Sequence, residues 1–194
     1  MFSGIVETTS HVLKLEENSG GRYVWVSKPP GWMLQRGESV CVQGVCSTVQ
    51  QLNRRAFGVI YMAETLRRST LGSLRPGEQV NVERCLTPAS LIGGHVVQGH
   101  VDTRARITGI KADGESKIYE FTLPARFCRY LAQKGSVAVD GISLTVIKAG
   151  RTKFAVSLLD YTMRHTTLGT KSRGDLVNVE VDILAKYVER LLAS

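Results

Sequence analysis

The sequence lacks the features that mark several common classes of protein. Its 194 residues hold no apolar run approaching the ~20 residues that a membrane-spanning helix needs. The opening MFSGIVETTS has no basic segment ahead of an apolar one, so no secretory signal is expected and the protein is expected in the cytoplasm. Its four cysteines are Cys41, Cys46, Cys85 and Cys128; they form no C-x-x-C pair and no compact framework, which predicts reduced thiols. Its four histidines are His11, His95, His100 and His165. His95 and His100 stand five apart in what reads as a strand, on opposite faces, so no metal site is expected. The glycine-rich GGHVVQG (93–99) lacks the spacing of a nucleotide-phosphate loop. The net charge is +8, but Lys and Arg are scattered and no zinc-finger or RNP-like pattern accompanies them. A solvated basic surface, without nucleic acid, is the expectation.

What is present is a repeat. ESVCVQGVCSTV (38–49) aligns with GSVAVDGISLTV (135–146), and ETLRRSTLGSLRPGEQVNVE (64–83) aligns with YTMRHTTLGTKSRGDLVNVE (161–180). Both alignments share an offset of 97, while FSGIVE (2–7) matches VQGHVD (97–102) more loosely. That period is too long for a solenoid and suits a whole small domain. Two tandem homologous domains are expected, 1–96 and 97–185, with a tail over 183–194.

Each half reads as short, turn-bounded apolar segments, which predicts an all-β barrel or sandwich. RYVWVSK, SVCVQG, VCSTVQQL and AFGVIYM in the first half answer to IYEFTL, SVAVDG, SLTVIKA and KFAVSLL in the second. Gln43-Gly44 and Asp140-Gly141 fall where hairpins turn. ETLRRSTLG reads as a helical turn, and the tail ILAKYVERLL has apolar residues at helical spacing. That stripe is suited to burial against another subunit.

Cys46 has two readings: a small apolar thiol in a strand, or a nucleophile or acid–base group at a strand end. The second repeat has Ser143 in its place. His100, where the first repeat has Ile5, is either a surface imidazole or a base poised near neutral pH. Ser39, Thr48, Ser136 and Thr145 recur in both halves. They either satisfy backbone groups or line a small polar pocket in each domain.

On the motifs MFSGIVE, SVCVQGVCSTV, GGHVVQGHVD, KGSVAVDGISLTV and VNVEVD…KYVERLL, the chain resembles riboflavin synthases of the α-chain type over essentially its whole length. The resemblance implies two six-stranded Greek-key barrels with short helices, and a C-terminal helix that builds a homotrimer. It implies conversion of two 6,7-dimethyl-8-ribityllumazine molecules into riboflavin and 5-amino-6-ribitylaminouracil, without metal or added cofactor. The site is implied between the N-terminal barrel of one subunit and the C-terminal barrel of the next. The N-terminal pocket would use Gly4, Ile5, Val6, Cys46, Ser47, Thr48, Ile60, Tyr61, Met62, Ala63, Glu64 and Thr65. The C-terminal pocket would use Gly99, His100, Val101, Lys134, Ser143, Leu144, Thr145, Leu158, Leu159, Asp160, Tyr161, Thr162 and Met163. The reactive positions fall on Ser39, Cys46, His100, Thr145 and Asp182, with Met1 to Ser3 close by. The chain departs from the family pattern at Gln43, where Asn is common, and at Ser47, where Leu is usual. Ser3 replaces a Thr, and Asp160-Tyr161 replaces a Pro-His or Pro-Glu pair. The alternative is a lumazine- or flavin-binding carrier without turnover, a reading weakened by the presence of Cys46, His100 and Lys134. Association with another riboflavin-pathway enzyme stays open.

Overall fold

The structure, a computed structural model, describes residues 1–18 and 20–192. The first barrel contains β1 (Thr8–Asn18), β2 (Gly21–Ser27), β3 (Ser39–Val42), β4 (Val45–Leu52), β5 (Ala56–Met62) and β6 (Gln79–Arg84). The second contains β7 (Thr103–Asp113), β8 (Ser116–Thr122), β9 (Ser136–Val139), β10 (Ile142–Ala149), β11 (Lys153–Leu159) and β12 (Leu176–Val181). Each sheet closes on itself in the order 1-2-5-4-3-6, repeated as 7-8-11-10-9-12. The hairpin-linked β3, β4 and β5 lie beside the earlier β2, which is the Greek-key arrangement expected. Bulges recur at matching places: Val12/Lys14 and Ile107/Gly109, then Val49/Gln51 and Val146/Lys148. Each adds local twist, which lets a six-stranded sheet close.

The expected hairpins form at Gln43-Gly44 and Asp140-Gly141, with all four residues at positive φ as a type I′ turn requires. ETLRRSTLG becomes α1 (Ala63–Arg68) and a 3-10 turn at Thr70–Ser73. Its repeat becomes α3 (Asp160–His165) and a 3-10 turn at Thr167–Thr170. Sequence patterning missed β1 and β7, the longest strands, because their outer ends KLEEN and GIKAD are mostly exposed and show no apolar alternation. It also missed the short α2 (Ala125–Cys128). The segment holding His95 and His100 is not a strand; it makes only one isolated bridge, Phe2 to Val97.

Each barrel has its own core, filled by inward residues such as Val24, Phe57 and Leu71 in the first and Tyr119, Phe121 and Phe154 in the second. Phe2, Cys41, Val97 and Ala138 form a small cluster of their own, packed with Cys46 and Cys85. The barrels join through a near-symmetric hydrogen-bond network. Asn81 Nδ2 donates to the Asp140 carbonyl at 2.9 Å, and Asn178 Nδ2 donates to the Gln43 carbonyl at 2.8 Å. Asn178 Oδ1 accepts from Thr70 N at 2.7 Å, and Asn81 Oδ1 accepts from Thr167 N at 2.8 Å. The two hairpin tips touch: a Cβ on Gly44 would lie 2.6 Å from Gly141 N, so only glycine fits.

The tail forms α4 (Ile183–Leu192); residues 193 and 194 of the expected tail lie outside the described residues. Lys186 bonds Asp102 at 2.7 Å, and Glu189 bonds Arg129 and Tyr130, so one face of α4 is tied to the second barrel. Leu184, Tyr187, Val188, Leu191 and Leu192 are left exposed. No helix among the described residues is long and apolar enough to cross a membrane.

The network holds one ionisable group. Asp140, wholly buried, takes the place of Gln43 in the second repeat; its Oδ1 accepts from Asn178 N at 2.7 Å while Oδ2 finds no partner. Burial pushes its pKa up to about 7, against the pull of Lys171, the Asn178 N–H and the Gln43 side chain. The folded state therefore keeps a proton that the unfolded chain loses above its ordinary value of 3.8. Stability from this group is full at low pH and falls as pH rises toward 7, by up to about 4 kcal/mol at roughly 1.4 kcal/mol per pKa unit. Asp140→Asn should flatten that fall, raising stability at pH 8 and changing it little at pH 4, as read from urea unfolding at both values.

Candidate active site at the junction of two barrels

Two short arms carry much of the candidate site, and each is held by a buried glutamate. Glu83 Oε1 accepts from Ser3 N at 2.7 Å and Ser3 Oγ at 2.8 Å, and its Oε2 accepts from Gly4 N at 3.1 Å. Glu180 repeats the pattern, accepting from Gln98 N at 2.7 Å and His100 N at 2.8 Å. Burial raises the pKa of both carboxyls, and the backbone N–H donors counter it by favouring the charged form.

Each arm then crosses to the other barrel. Ser143 N, in β10, donates to the Gly4 carbonyl at 2.7 Å, and Cys46 N, in β4, donates to the Gly99 carbonyl at 2.8 Å. The approach is close enough to demand glycine: a Cβ on Gly99 would lie 2.5 Å from Cys46 N, and one on Gly4 would lie 2.7 Å from Ser143 Cβ. Both glycines have positive φ. Val6 packs against the second barrel's core and Val101 against the first's. The backbone contacts thus run across the two halves that the resemblance assigns to separate pockets. Gly4, Ile5 and Val6 stand beside Ser143, and Gly99, His100 and Val101 stand beside Cys46.

Alternation along the strands decides which side chains reach the site. Cys46 and Thr48 point out of the first barrel, Cys46 half-buried and Thr48 exposed; Ser143 and Thr145 do the same on the second. Ile60 and Met62 on β5 and Leu159 on β11 are exposed on the outer faces. Ser39 pairs with Thr48 in register and Ser136 with Thr145. Ser39 also borders a cavity of about 580 Å³ with Ser3, Ile5, Glu83 and Cys85.

Four expected pocket residues face inward instead. Ser47, Tyr61, Leu144 and Leu158 are buried inside the barrels, so they can offer a ligand backbone atoms only. The Ser47 hydroxyl donates to the Val45 carbonyl at 2.9 Å, which leaves Tyr61 as donor in the 2.8 Å Ser47–Tyr61 bond. Burial raises the Tyr61 pKa well above the ordinary phenol value, and the Ser47 bond opposes it. At the offset of 97, Leu144 and Leu158 occupy the same two places in the second barrel. Ser47 and Tyr61 thus stand as a hydrogen-bonded pair where the second barrel has two leucines.

The remaining expected residues fall on turns and helix ends. Ala63, Glu64 and Thr65 open α1, where Glu64 pairs with Arg67 and Arg68. Asp160, Tyr161, Thr162 and Met163 open α3, where Asp160 pairs with Arg164 at 2.7 Å and Tyr161 stacks on His165. Lys134 has φ +66 where the first repeat has Gly37 at φ +87. A lysine held there is strained backbone beside a candidate site. Asp182 caps α4, its Oδ1 accepting from Leu184 N at 3.0 Å. One residue was missed as a site member: His95, whose Nδ1 lies 2.7 Å from Ser143 Oγ. Its signal was the GGHVVQGH motif, in which His95 was weighed only as a metal ligand.

Two like closed barrels, each with an outer strand face and an arm borrowed from the other, define a tandem-barrel protein. The family model "lumazine binding domain" matches twice, at residues 3–85 and 98–182, and the chain belongs to that family. A riboflavin synthase of Mycobacterium tuberculosis is 44% identical, with 100% of this chain and 99% of the relative covered. One of Meyerozyma guilliermondii is 40% identical, with 98% and 85% covered. In fold, the chain is similar to LumP complexed with riboflavin, at TM-score 0.86 and 20% identity, covering 94% and 100% of the two chains. LumP complexed with 6,7-dimethyl-8-(1'-D-ribityl) lumazine gives 0.83 and 21%, covering 93% and 99%.

The inward pair gives a direct test of the site's frame. Ser47→Ala strands the buried Tyr61 hydroxyl and should cost about 1–3 kcal/mol, whereas Tyr61→Phe, which strands no donor, should cost about 0.5–1.5 kcal/mol. The double variant should cost less than the sum of the two in urea unfolding. Additive losses would mean the two hydroxyls do not share the bond.

Proposed function

We propose that the chain is a riboflavin synthase, converting two molecules of 6,7-dimethyl-8-ribityllumazine into riboflavin and 5-amino-6-ribitylaminouracil. Full-length similarity to riboflavin synthases of bacteria and yeasts supports this. The observation that carries it in the structure is that two equivalent outer-face positions carry unlike groups, Cys46 beside the arm of Gly99 and His100 and Ser143 beside the arm of Gly4 and Ile5. One substrate molecule gains the four-carbon unit that the other loses, so the exchange is internally balanced. The lumazine 7-methyl group is acidic because its carbanion delocalises into the ring. His100, exposed at the mouth of the first barrel, takes that proton. Cys46, with Ser39 one strand away, adds to the acceptor ring or directs water to it. Holding two rings in reacting geometry supplies much of the acceleration. The protein acts in the cytoplasm as a homotrimer, with the exposed apolar face of α4 as the assembly surface.

Riboflavin formation from the lumazine, followed by absorbance, tests the activity. Cys46→Ala should retain ligand binding and lose most turnover, while Cys128→Ala, a core substitution in the second barrel, should be nearly silent. Full turnover in Cys46→Ala would make the thiol a core filler.

The intersubunit site predicts rescue between two dead variants, Cys46→Ala and Ser143→Arg. In mixed trimers an intact first barrel from one variant meets an intact second barrel from the other at about a quarter of the interfaces. Co-expression should restore activity up to roughly that fraction. Mixed trimers no more active than either variant alone would place the site within one chain.

A further inference from the structure

A reaction that turns two identical molecules into different products needs a difference between the places that hold them. The barrels share a fold, so the difference must come from side chains at equivalent positions. At one such position the first barrel has Cys46, whose thiol makes no hydrogen bond among the described residues, and the second has Ser143. The Ser143 hydroxyl is not free to turn: Oγ lies 2.7 Å from His95 Nδ1. The ring is held in turn, since His95 N donates to the Ser3 carbonyl at 3.1 Å. On the same loop, a Cβ on Gly94 would lie 2.8 Å from Ser143 Oγ, so the backbone closes on the hydroxyl. Burial holds the His95 pKa below its ordinary value, with Asp182 at the head of α4 opposing that shift through space. The imidazole is therefore neutral at physiological pH, with one donor and one acceptor nitrogen.

We propose that His95 is a positioning residue: it fixes the Ser143 hydroxyl so that the second barrel meets the lumazine ring with a preset hydrogen bond that the first barrel lacks. The two substrate copies are then bound unequally, which separates donor from acceptor. This rests on the riboflavin synthase reading. A serine hydroxyl otherwise samples three rotamers, and fixing one in advance removes that ordering cost from ligand binding.

Equilibrium dialysis of the full chain with an 8-ribityllumazine that lacks the 7-methyl group, and so cannot react, alongside kcat and KM for the substrate, tests it. The unaltered protein should bind two molecules per chain with unequal affinity. His95→Leu should weaken one of the two by about 3- to 10-fold, the worth of a neutral hydrogen bond, and leave the other unchanged. His95→Asn, whose amide sets a polar atom near the place of Nδ1, should restore most of the loss. Ser143→Ala should match His95→Leu, and the double variant should be no weaker than either. Two equal sites in the unaltered protein, additive losses, or no rescue by asparagine would overturn the proposal. Should His95→Leu fail to fold, unchanged binding by Ser143→Ala overturns it alone. An unaltered protein that binds none of the analogue and forms no riboflavin from the lumazine overturns the enzyme reading and this inference together. One that forms riboflavin while both variants titrate normally overturns only the inference.

Discussion

The crossing of two hairpins, Gln43-Gly44 over Asp140-Gly141, holds the rest of the molecule in register. Two positive-φ turns meet tip to tip with no room for a side chain at either glycine. Around them Asn81 and Asn178 each reach into the opposite barrel, and each also accepts a backbone N–H from the other side. All of these groups are polar and all the bonds but the part-buried one at Thr70 are withdrawn from water, so each buried bond lost strands a partner at a cost of about 1–3 kcal/mol. Such a joint tolerates little sliding. It sets the distance between β4 and β10, and with it the place where each arm can dock.

The arms turn that joint into a site. An arm tied to its own barrel by Glu83 or Glu180 delivers a glycine carbonyl to a strand of the other barrel. The candidate pockets are composite even within one chain. Neither barrel owns all the residues around its outer strand face: His100 is held by Glu180 of β12 yet follows the glycine that meets Cys46, and Gly4 is held by Glu83 of β6 yet meets Ser143. A site shared between subunits would add a second level of sharing to one that the fold already contains.

Much of this was legible in the sequence, for reasons that differ by feature. The duplication, the two hairpins and the paired strands β3–β5 and β9–β11 follow from local patterns: turn residues at fixed places and alternating apolar residues between them. Strands β1 and β7 escaped because the outer half of each is mostly exposed, with Leu15 and Ile110 alone reaching the cores, so it carries no sustained apolar alternation. The exchange of arms could not be read, because it depends on long-range bonds between Gly4 and Ser143 and between Gly99 and Cys46, invisible to any window along the chain. The inward turn of Ser47 was readable in principle from its strand period, since Val45, Ser47 and Val49 share a face. The resemblance put it in the pocket by position, and the buried Tyr61 hydroxyl explains its polarity.

Comparing the repeats shows where duplication has been allowed to drift. Inside the barrels the change is compensated, a Ser47–Tyr61 bond in one against Leu144 and Leu158 in the other, and the wall keeps its shape. At the joint Gln43 has become Asp140, a change that leaves one buried oxygen without a partner. At the mouths the changes are not compensated. Cys46 faces Ser143 with its histidine, and Gly37 faces a lysine held at positive φ. A lysine at positive φ where its twin has glycine is a strained choice that the backbone alone does not require. Uncompensated differences gathered at two otherwise equivalent openings are what a twofold scaffold needs if it is to hold one ligand in two roles.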